Sequence, residues 1–397
     1  MALFPSLTSL LIIILIFAIL NFFSNSNNFS LEINEKFMIF TFLMYFVVNL
    51  FLVYYHEGEL RNLDVPSRFF LLIPFYFYFR NFNFHREFFY YAIFFASFLL
   101  GLYSIIKFFL NICIFDFPIH TGTLSFYSGL FGLISLVIFL KIESLKLKKV
   151  SMISFALALI AALSFGGRGV WIAVIISLVI LYLYHFKNFS LSSKLKHFAS
   201  FIVFLFIGFL TLKTIDITRI NHTYECIDTF FEDDIECYDL SIVYRLNLIK
   251  ISREIFIDSP FFGQGENFQT NVKEYIDSKY EFLIFPKWLV QKNDFASSLS
   301  KLNHPHIEIL TMLLKGGIIG LFFYLLVFIS PILLFVKNKY IESDEAKLFK
   351  LLILMTVSFY FSYSLTNAVF SHQRTALLFV FLIFFLSGVY EKLKKEN

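Results

Sequence analysis

The chain repeats apolar runs of membrane-spanning length, joined by short polar connections, and breaks that rhythm once. Apolar runs recur from the N-terminus to residue 214 and again from residue 316 to the C-terminus. Between them, residues 215–303 are compatible with water, a stretch of roughly ninety residues where ordinary connections take only a few. Runs of about 17–25 apolar residues are membrane-spanning candidates. With 58% hydrophobic and 16% charged residues, the chain has too little polar surface to cover itself as a soluble globule. Backbone groups in lipid must be satisfied within their own segment, so every span is expected to be a helix. The fold expected is therefore all-α: a polytopic membrane protein with about 11–12 transmembrane helices and one large loop bearing short amphipathic helices.

The expected spans are 7–23, 37–55, 69–79, 88–110, 123–140, 148–165, 169–186, 198–214, 316–336, 347–369 and 374–390. The first lacks a basic leader region and a small-residue cleavage site, so it reads as a retained span. The 69–79 run is short, contains Pro74, and fits either a short span or a re-entrant piece. Three regions follow: residues 1–214 with the first spans, the loop 215–303, and residues 304–397 with the last spans.

Orientation comes from Lys and Arg in the short connections. Lys141, Lys146, Lys148 and Lys149 mark one cytoplasmic loop, and Lys187, Lys194 and Lys196 a second. Lys337, Lys339, Lys347 and Lys350 mark a third, and Lys392, Lys394 and Lys395 mark the tail. Arg80 and Arg86 fit the same side. Residues 111–122, 166–168, the large loop and 370–373 are then expected outside the cytoplasm. Before residue 80 the charge pattern does not decide the direction. The net charge of +4 is small, and no basic stripe interleaved with aromatics points to nucleic acid. No internal repeat of the inverted-transporter kind stands out.

The chemistry-bearing residues gather on the outer side. Arg168 stands in Gly166-Gly167-Arg168-Gly169, a hairpin between two spans. A helix N-terminus beside a guanidinium can seat a phosphate. An interfacial Arg reaching for lipid headgroups is the competing reading. Arg245 lies in a stretch where Val243, Leu246, Ile249 and Phe256 approximate a helical stripe, with Lys250 and Arg253 polar. That pattern suits an amphipathic helix on the membrane surface or over a cavity. Pro260-Phe261-Phe262-Gly263-Gln264-Gly265 follows as a tight or mobile loop. Its G-x-G is too weak a signal for nucleotide binding.

His304 and His306 form an H-P-H pair just before an apolar helix. Neutral imidazole can take a proton from an attacking hydroxyl near pH 7. H-x-H without nearby Cys or H-E-x-x-H is poor evidence for zinc, and no metal or cofactor is expected. Glu308 is one possible orienting partner for the imidazoles. His372 and Arg374 occupy the last outer hairpin, where a role in the same cavity and an interfacial anchor both fit. Cys226 and Cys237 share the large loop, and a disulfide and two free thiols both remain open. Cations at membrane level are costly unless they face protein or water, so several on one side point to an anionic substrate there.

The ordered set of these motifs resembles the bacterial O-antigen ligase and polymerase superfamily. Arg245 followed by Pro260-Phe261-Phe262-Gly263-Gln264-Gly265-Glu266-Asn267-Phe268 looks like the family's R…P-L-L-G-V-G-x-x-N-F pattern. His304-Pro305-His306-Ile307-Glu308-Ile309-Leu310 with Gly317-Ile318-Ile319-Gly320 resembles its H-x-H-N-x-x-L…G-x-x-G segment, and Gly167-Arg168-Gly169 its S-R-G hairpin. Ile307 replaces the usual Asn, Gly167 the usual Ser, and Ile249 a common Trp.

The resemblance implies a membrane glycosyltransferase of the bacterial inner membrane, with its site facing the periplasm. The donor implied is a glycan on undecaprenyl diphosphate. The acceptor is either a lipid A–core hydroxyl or a second lipid-linked glycan. Arg168 and Arg245 would bind and stabilise the departing diphosphate and His306 would activate the acceptor. His304, Arg374, Gly263, Gly265 and Asn267 would contact substrate. A transporter of an anionic lipid or solute is the reading from a different class. Membrane lipids are the other expected partner, and nucleic acid is not.

Overall fold

The structure, a computed structural model, describes residues 30–82, 85–110, 121–186, 240–266, 268–278, 299, 305–335 and 343–395. The expected spans 7–23 and 198–214, the three cysteines, His304 and Asn267 lie outside the described residues. Two compact units are present, one formed by Met1–Leu181 with Gly320–Asn397 and the other by Tyr182–Ile319. Among the described residues the ordered segments are helical.

The helices are α1 (Ile33–Tyr55), α2 (Asp64–Leu71), α3 (Ile73–Asn81), α4 (Arg86–Leu110), α5 (Thr121–Lys141), α6 (Leu145–Ser164), α7 (Arg168–Phe186), α8 (Leu240–Asp258), α9 (Phe268–Ser278), α10 (Glu308–Leu333), α11 (Asp344–Ser364) and α12 (Gln373–Lys395). Seven of them, α1, α4, α5, α6, α10, α11 and α12, are long and apolar enough to cross a membrane. α7 is a shorter apolar helix by the same measure. The chain is therefore a multi-pass, all-α membrane protein. The expected 69–79 element is two short helices meeting at Leu72, with Pro74 in the first turn of α3. Proline is tolerated there because the first helical N–H groups have no intrahelical partner.

In the first unit, α5 and α12 are sheathed by protein, whereas α1 and α6 keep most of their surface outside it. Lipid gives no hydrophobic drive between helices, so close contact relies on small residues and packing. Ser154, Ala158, Ala161 and Ala162 of α6 are buried, and Gly132 of α5 faces Ala158. A Cβ on Gly101 of α4 would stand 2.6 Å from the Leu157 Cβ. A Cβ on Gly388 of α12 would stand 2.7 Å from the Tyr76 carbonyl of α3. Aromatic rings fill the remaining core: Phe126, Tyr360, Phe370 and Phe379 meet with centroids 4.8–6.5 Å apart.

Charge ties mark the two ends of this unit. Arg80 Nε lies 2.7 Å from Glu35 Oε1, and Lys394 Nζ 2.7 Å from Glu32 Oε2. Lys392 donates to the Phe82 carbonyl at 3.0 Å, and Arg86 pairs with Glu345. A cavity of about 950 Å³ at that end is lined by Arg86, Lys141, Ser144 and Ser343. The start of α1, the α3–α4 connection, the α5–α6 connection, the start of α11 and the end of α12 thus share one Lys- and Arg-bearing end. Sequence alone left α1 undecided; its N-terminus is on this end, because Glu32 and Glu35 are paired there. At the opposite end, Arg68 and Asp64 of α2 bond to Gln373 at the start of α12.

Candidate functional site

The α6–α7 hairpin carries Arg168 to that opposite end. Gly166 adopts φ +72°, the left-handed turn that glycine permits without cost. Gly167 and Gly169 serve a different need, close approach. A Cβ on Gly167 would lie 2.6 Å from Ser125 Oγ of α5, and Ser125 itself donates to the Ala162 carbonyl at 2.9 Å. This explains why glycine stands where the family pattern has serine: the Ser125 hydroxyl fills the room. A Cβ on Gly169 would lie 2.5 Å from Asn367 Nδ2 and would also overlap Thr366. The Arg168 hairpin is thereby pressed onto the α11–α12 hairpin, which leads to His372 and Arg374. Trp171 adds an indole N–H bond of 3.3 Å to the Ala162 carbonyl.

Arg168 and Arg374 are half-buried, and His372 is exposed. Thr375 holds the hairpin by donating to the His372 carbonyl at 2.8 Å, and Tyr360 donates to the Thr375 carbonyl at 2.9 Å. Two cationic side chains therefore sit on neighbouring hairpins at one end of this unit.

The second unit holds Arg245, the Pro260–Gly265 loop and His306. Arg245 lies on α8 and is half-buried. The buried side of α8 is Val243, Leu248, Ile251 and Ile255, whereas Ile249 is exposed. The apolar stripe expected from Val243, Leu246, Ile249 and Phe256 is thus divided between two faces. Asn247 sits fully buried within the helix and donates to the Val243 carbonyl at 3.0 Å.

The loop after α8 is clasped to α10. α10 breaks at Gly317, with φ 60° and ψ −156°. Such a break orphans carbonyls before it and N–H groups after it. Gln264 N donates to the Leu314 carbonyl at 2.7 Å and Gly265 N to the Lys315 carbonyl at 3.0 Å. In return, Ile318 N donates to the Pro260 carbonyl at 2.9 Å and Ile319 N to the Phe261 carbonyl at 3.3 Å. Gly263 at φ +68° and Gly265 at φ +65° supply the turns. A Cβ on Gly263 would stand 2.6 Å from Gly317 N, so both backbones need glycine at the crossing. The Lys315–Glu266 pair at 2.6 Å and the Asn271–Gln264 bond at 3.0 Å brace the loop. Sequence reasoning expected a span from residue 316. It also placed an apolar helix just after His306, where α10 starts at Glu308, but missed the break, although the Gly316-Gly317 doublet was a signal.

His306 lies immediately before α10, half-buried, with φ 57°. A positive φ is uncommon for a non-glycine residue and marks a backbone held by its surroundings. Glu308, two residues on, is fully buried. The Tyr275 hydroxyl of α9 is pushed above its ordinary pKa by burial and then by the Glu254 charge of α8. Among the described residues, no cluster of three or more His, Cys, Asp or Glu side chains forms a metal cage. The expected site residues thus divide: Arg168 and Arg374 share the first unit, Arg245, Gly263, Gly265 and His306 the second.

Residues 153–325 match the family model described as O-antigen ligase. The matched region, less than half of the chain, is similar to that family. It takes in the Arg168 hairpin, α8, the clasped loop, His306 and the broken helix, and ends before the Arg374 hairpin. An uncharacterized protein of Haemophilus influenzae strain Rd is 23% identical over 355 residues, covering 87% of this chain and 84% of the relative. That similarity extends well beyond the matched region, and the relative's name states no activity.

Proposed function

We propose that this protein transfers a glycan from undecaprenyl diphosphate to an acceptor hydroxyl at the periplasmic face of the inner membrane, with a lipid A–core saccharide as acceptor. The observation that carries this reading is the matched family region, which contains Arg168, Arg245 and His306 together. In the proposed step, the acceptor oxygen forms a bond to the anomeric carbon. The bond from that carbon to the diphosphate oxygen breaks, and the electron pair leaves on the diphosphate. The acceptor proton passes to His306, whose neutral imidazole suits the task near pH 7. Arg168 and Arg245 bind the diphosphate, where fixed positive charge favours the charge that develops on departure. Arg374, on the hairpin next to Arg168, supports the same anion. Gly263 and Gly265 set the loop against α10 and so orient α8, which bears Arg245.

The test is transfer of a defined undecaprenyl-diphosphate oligosaccharide by purified protein, with lipid A–core and a second lipid-linked repeat offered side by side. Glycan on the core supports the proposal. A lengthened lipid-linked chain assigns a polymerase instead. Full transfer by folded, inserted Arg168→Ala and His306→Ala variants would sink the assigned roles.

A further inference from the structure

The outward face of α8 has a composition that a solvated loop helix would not choose. Its buried side is made of Val243, Leu248, Ile251 and Ile255. On the opposite side, Ile249 is 40% exposed, Arg253 is exposed and Ile257 is 61% exposed, spaced four residues apart on one face. Just past the helix end, Phe261 is 64% exposed. Single exposed apolar residues are ordinary, but an aligned apolar row marks a surface with a partner.

The depth of this row identifies the partner. Phe261 and Pro260 are not free in a loop: their carbonyls accept from Ile319 and Ile318, inside the membrane-spanning helix α10. Ile318 is itself 49% exposed, so the row joins the outward apolar surface of that helix. From Ile318 to Leu333 the helix covers about 23 Å at its usual rise, which lies within a hydrocarbon core of about 30 Å. Backbone bonding therefore holds Phe261 near the boundary of the hydrocarbon. Arg253 belongs to this row, and its long stem can lie along apolar surface while its charge reaches phosphates. Lys250, Glu254 and Asp258 form the next row round the helix, one position on from each member of this one.

We infer that the Ile249–Arg253–Ile257–Phe261 face of α8 is a membrane-docking surface. Its apolar side chains enter the acyl region of the leaflet beside Ile318, and Arg253 meets lipid phosphates. α8 is then an in-plane interfacial helix rather than part of a solvated lobe. The inference does not depend on glycan transfer. It has one consequence for that reading: Arg245, on the same helix, is held at headgroup depth, where a lipid-borne diphosphate resides.

Photo-crosslinking of the full chain tests it. Benzoylphenylalanine is placed singly at Ile249, Ile257 and Phe261, in vesicles of phosphatidylethanolamine and phosphatidylglycerol. Phe322, exposed on the spanning helix, is the lipid-facing control, and Lys273, exposed on α9, is the water-facing control. Phospholipid adducts at Ile257 and Phe261 comparable with Phe322, and background at Lys273, are expected. Background at all three positions while Phe322 reacts would overturn the inference, as would adducts to this chain's own peptides. Ile249 keeps the test decisive should the Phe261 variant fail to insert.

Discussion

Gly317→Ala tests the clasp that joins the loop after α8 to α10. An L-residue at φ 60° and ψ −156° occupies backbone space essentially confined to glycine, at a cost of roughly 1–3 kcal/mol. The new Cβ would also overlap the Phe261 carbonyl and stand 2.7 Å from Phe262 N. Those are backbone atoms, so the loop has to move as a whole. Moving it breaks four backbone bonds, from Gln264, Gly265, Ile318 and Ile319. At about 1 kcal/mol net for each, the clasp is weakened by roughly 4 kcal/mol. Amide hydrogen exchange reads this directly, since local opening sets the rate. At tenfold for every 1.4 kcal/mol, the Gln264 and Gly265 amides should exchange about a thousandfold faster in the variant. Amides of α12 should be unchanged. Unaltered exchange at Gln264 and Gly265 in an inserted Gly317→Ala protein would refute the argument from backbone overlap. Gly166→Ala is the contrast: its φ of +72° carries a left-handed cost of about 1–2 kcal/mol, and nothing lies within 4 Å of the new Cβ.

Other substitutions probe the remaining links. Gly169→Val should force the Arg168 hairpin off Thr366 and Asn367; because misplacement by about 1 Å can cost a hundredfold in rate, single-turnover glycan transfer should fall on that order while membrane insertion persists. Arg80→Met leaves Glu35 buried without its ion-pair partner, with only the Tyr76 hydroxyl and the Glu32 N–H still donating to it, and should cost about 3 kcal/mol in detergent unfolding, with the Arg80→Met/Glu35→Leu double variant recovering part of the loss. Glu266→Gln breaks a part-exposed pair with Lys315 and should shift loop exchange by no more than about 1 kcal/mol. The raised Tyr275 pKa favours the neutral phenol in the folded unit, so its contribution is full below the ordinary tyrosine value of about 10 and is lost as pH rises through the higher folded value. Exchange of α9 should accelerate over that alkaline range in the native chain and less in Tyr275→Phe.

Much of the architecture was legible because lipid imposes simple rules. Uninterrupted apolar runs had to be helices, and the starts and ends of α4, α5, α6 and α11 fall within a few residues of the expected spans. The Lys-rich connections marked one end, and the ion pairs at Arg80, Arg86 and Lys394 occupy it. Legibility failed where local pattern and tertiary contact diverge. The Val243–Phe256 stripe did not predict which side of α8 is buried, because apolar residues line both sides and only neighbouring structure distinguishes core from lipid. The glycines around Arg168 read as a turn. Only Gly166 turns the chain, and the other two make room for Ser125, Thr366 and Asn367.

The sequence by itself determined an all-helical, multi-pass membrane chain, one long polar insertion, and an ordered set of Arg, Gly and His residues typical of a ligase-type family. These follow from composition, run length and order along the chain, quantities that need no third dimension. Tertiary structure alone decided that α1 begins at the Lys-rich end, that the Arg168 and Arg374 hairpins are neighbours, and that the Pro260–Gly265 loop closes a gap in α10. Each of these rests on atoms distant in sequence, such as Lys394 with Glu32 or Gln264 with Leu314. A backbone group left unpaired by a helix break has no preferred partner until the fold brings one within bonding distance.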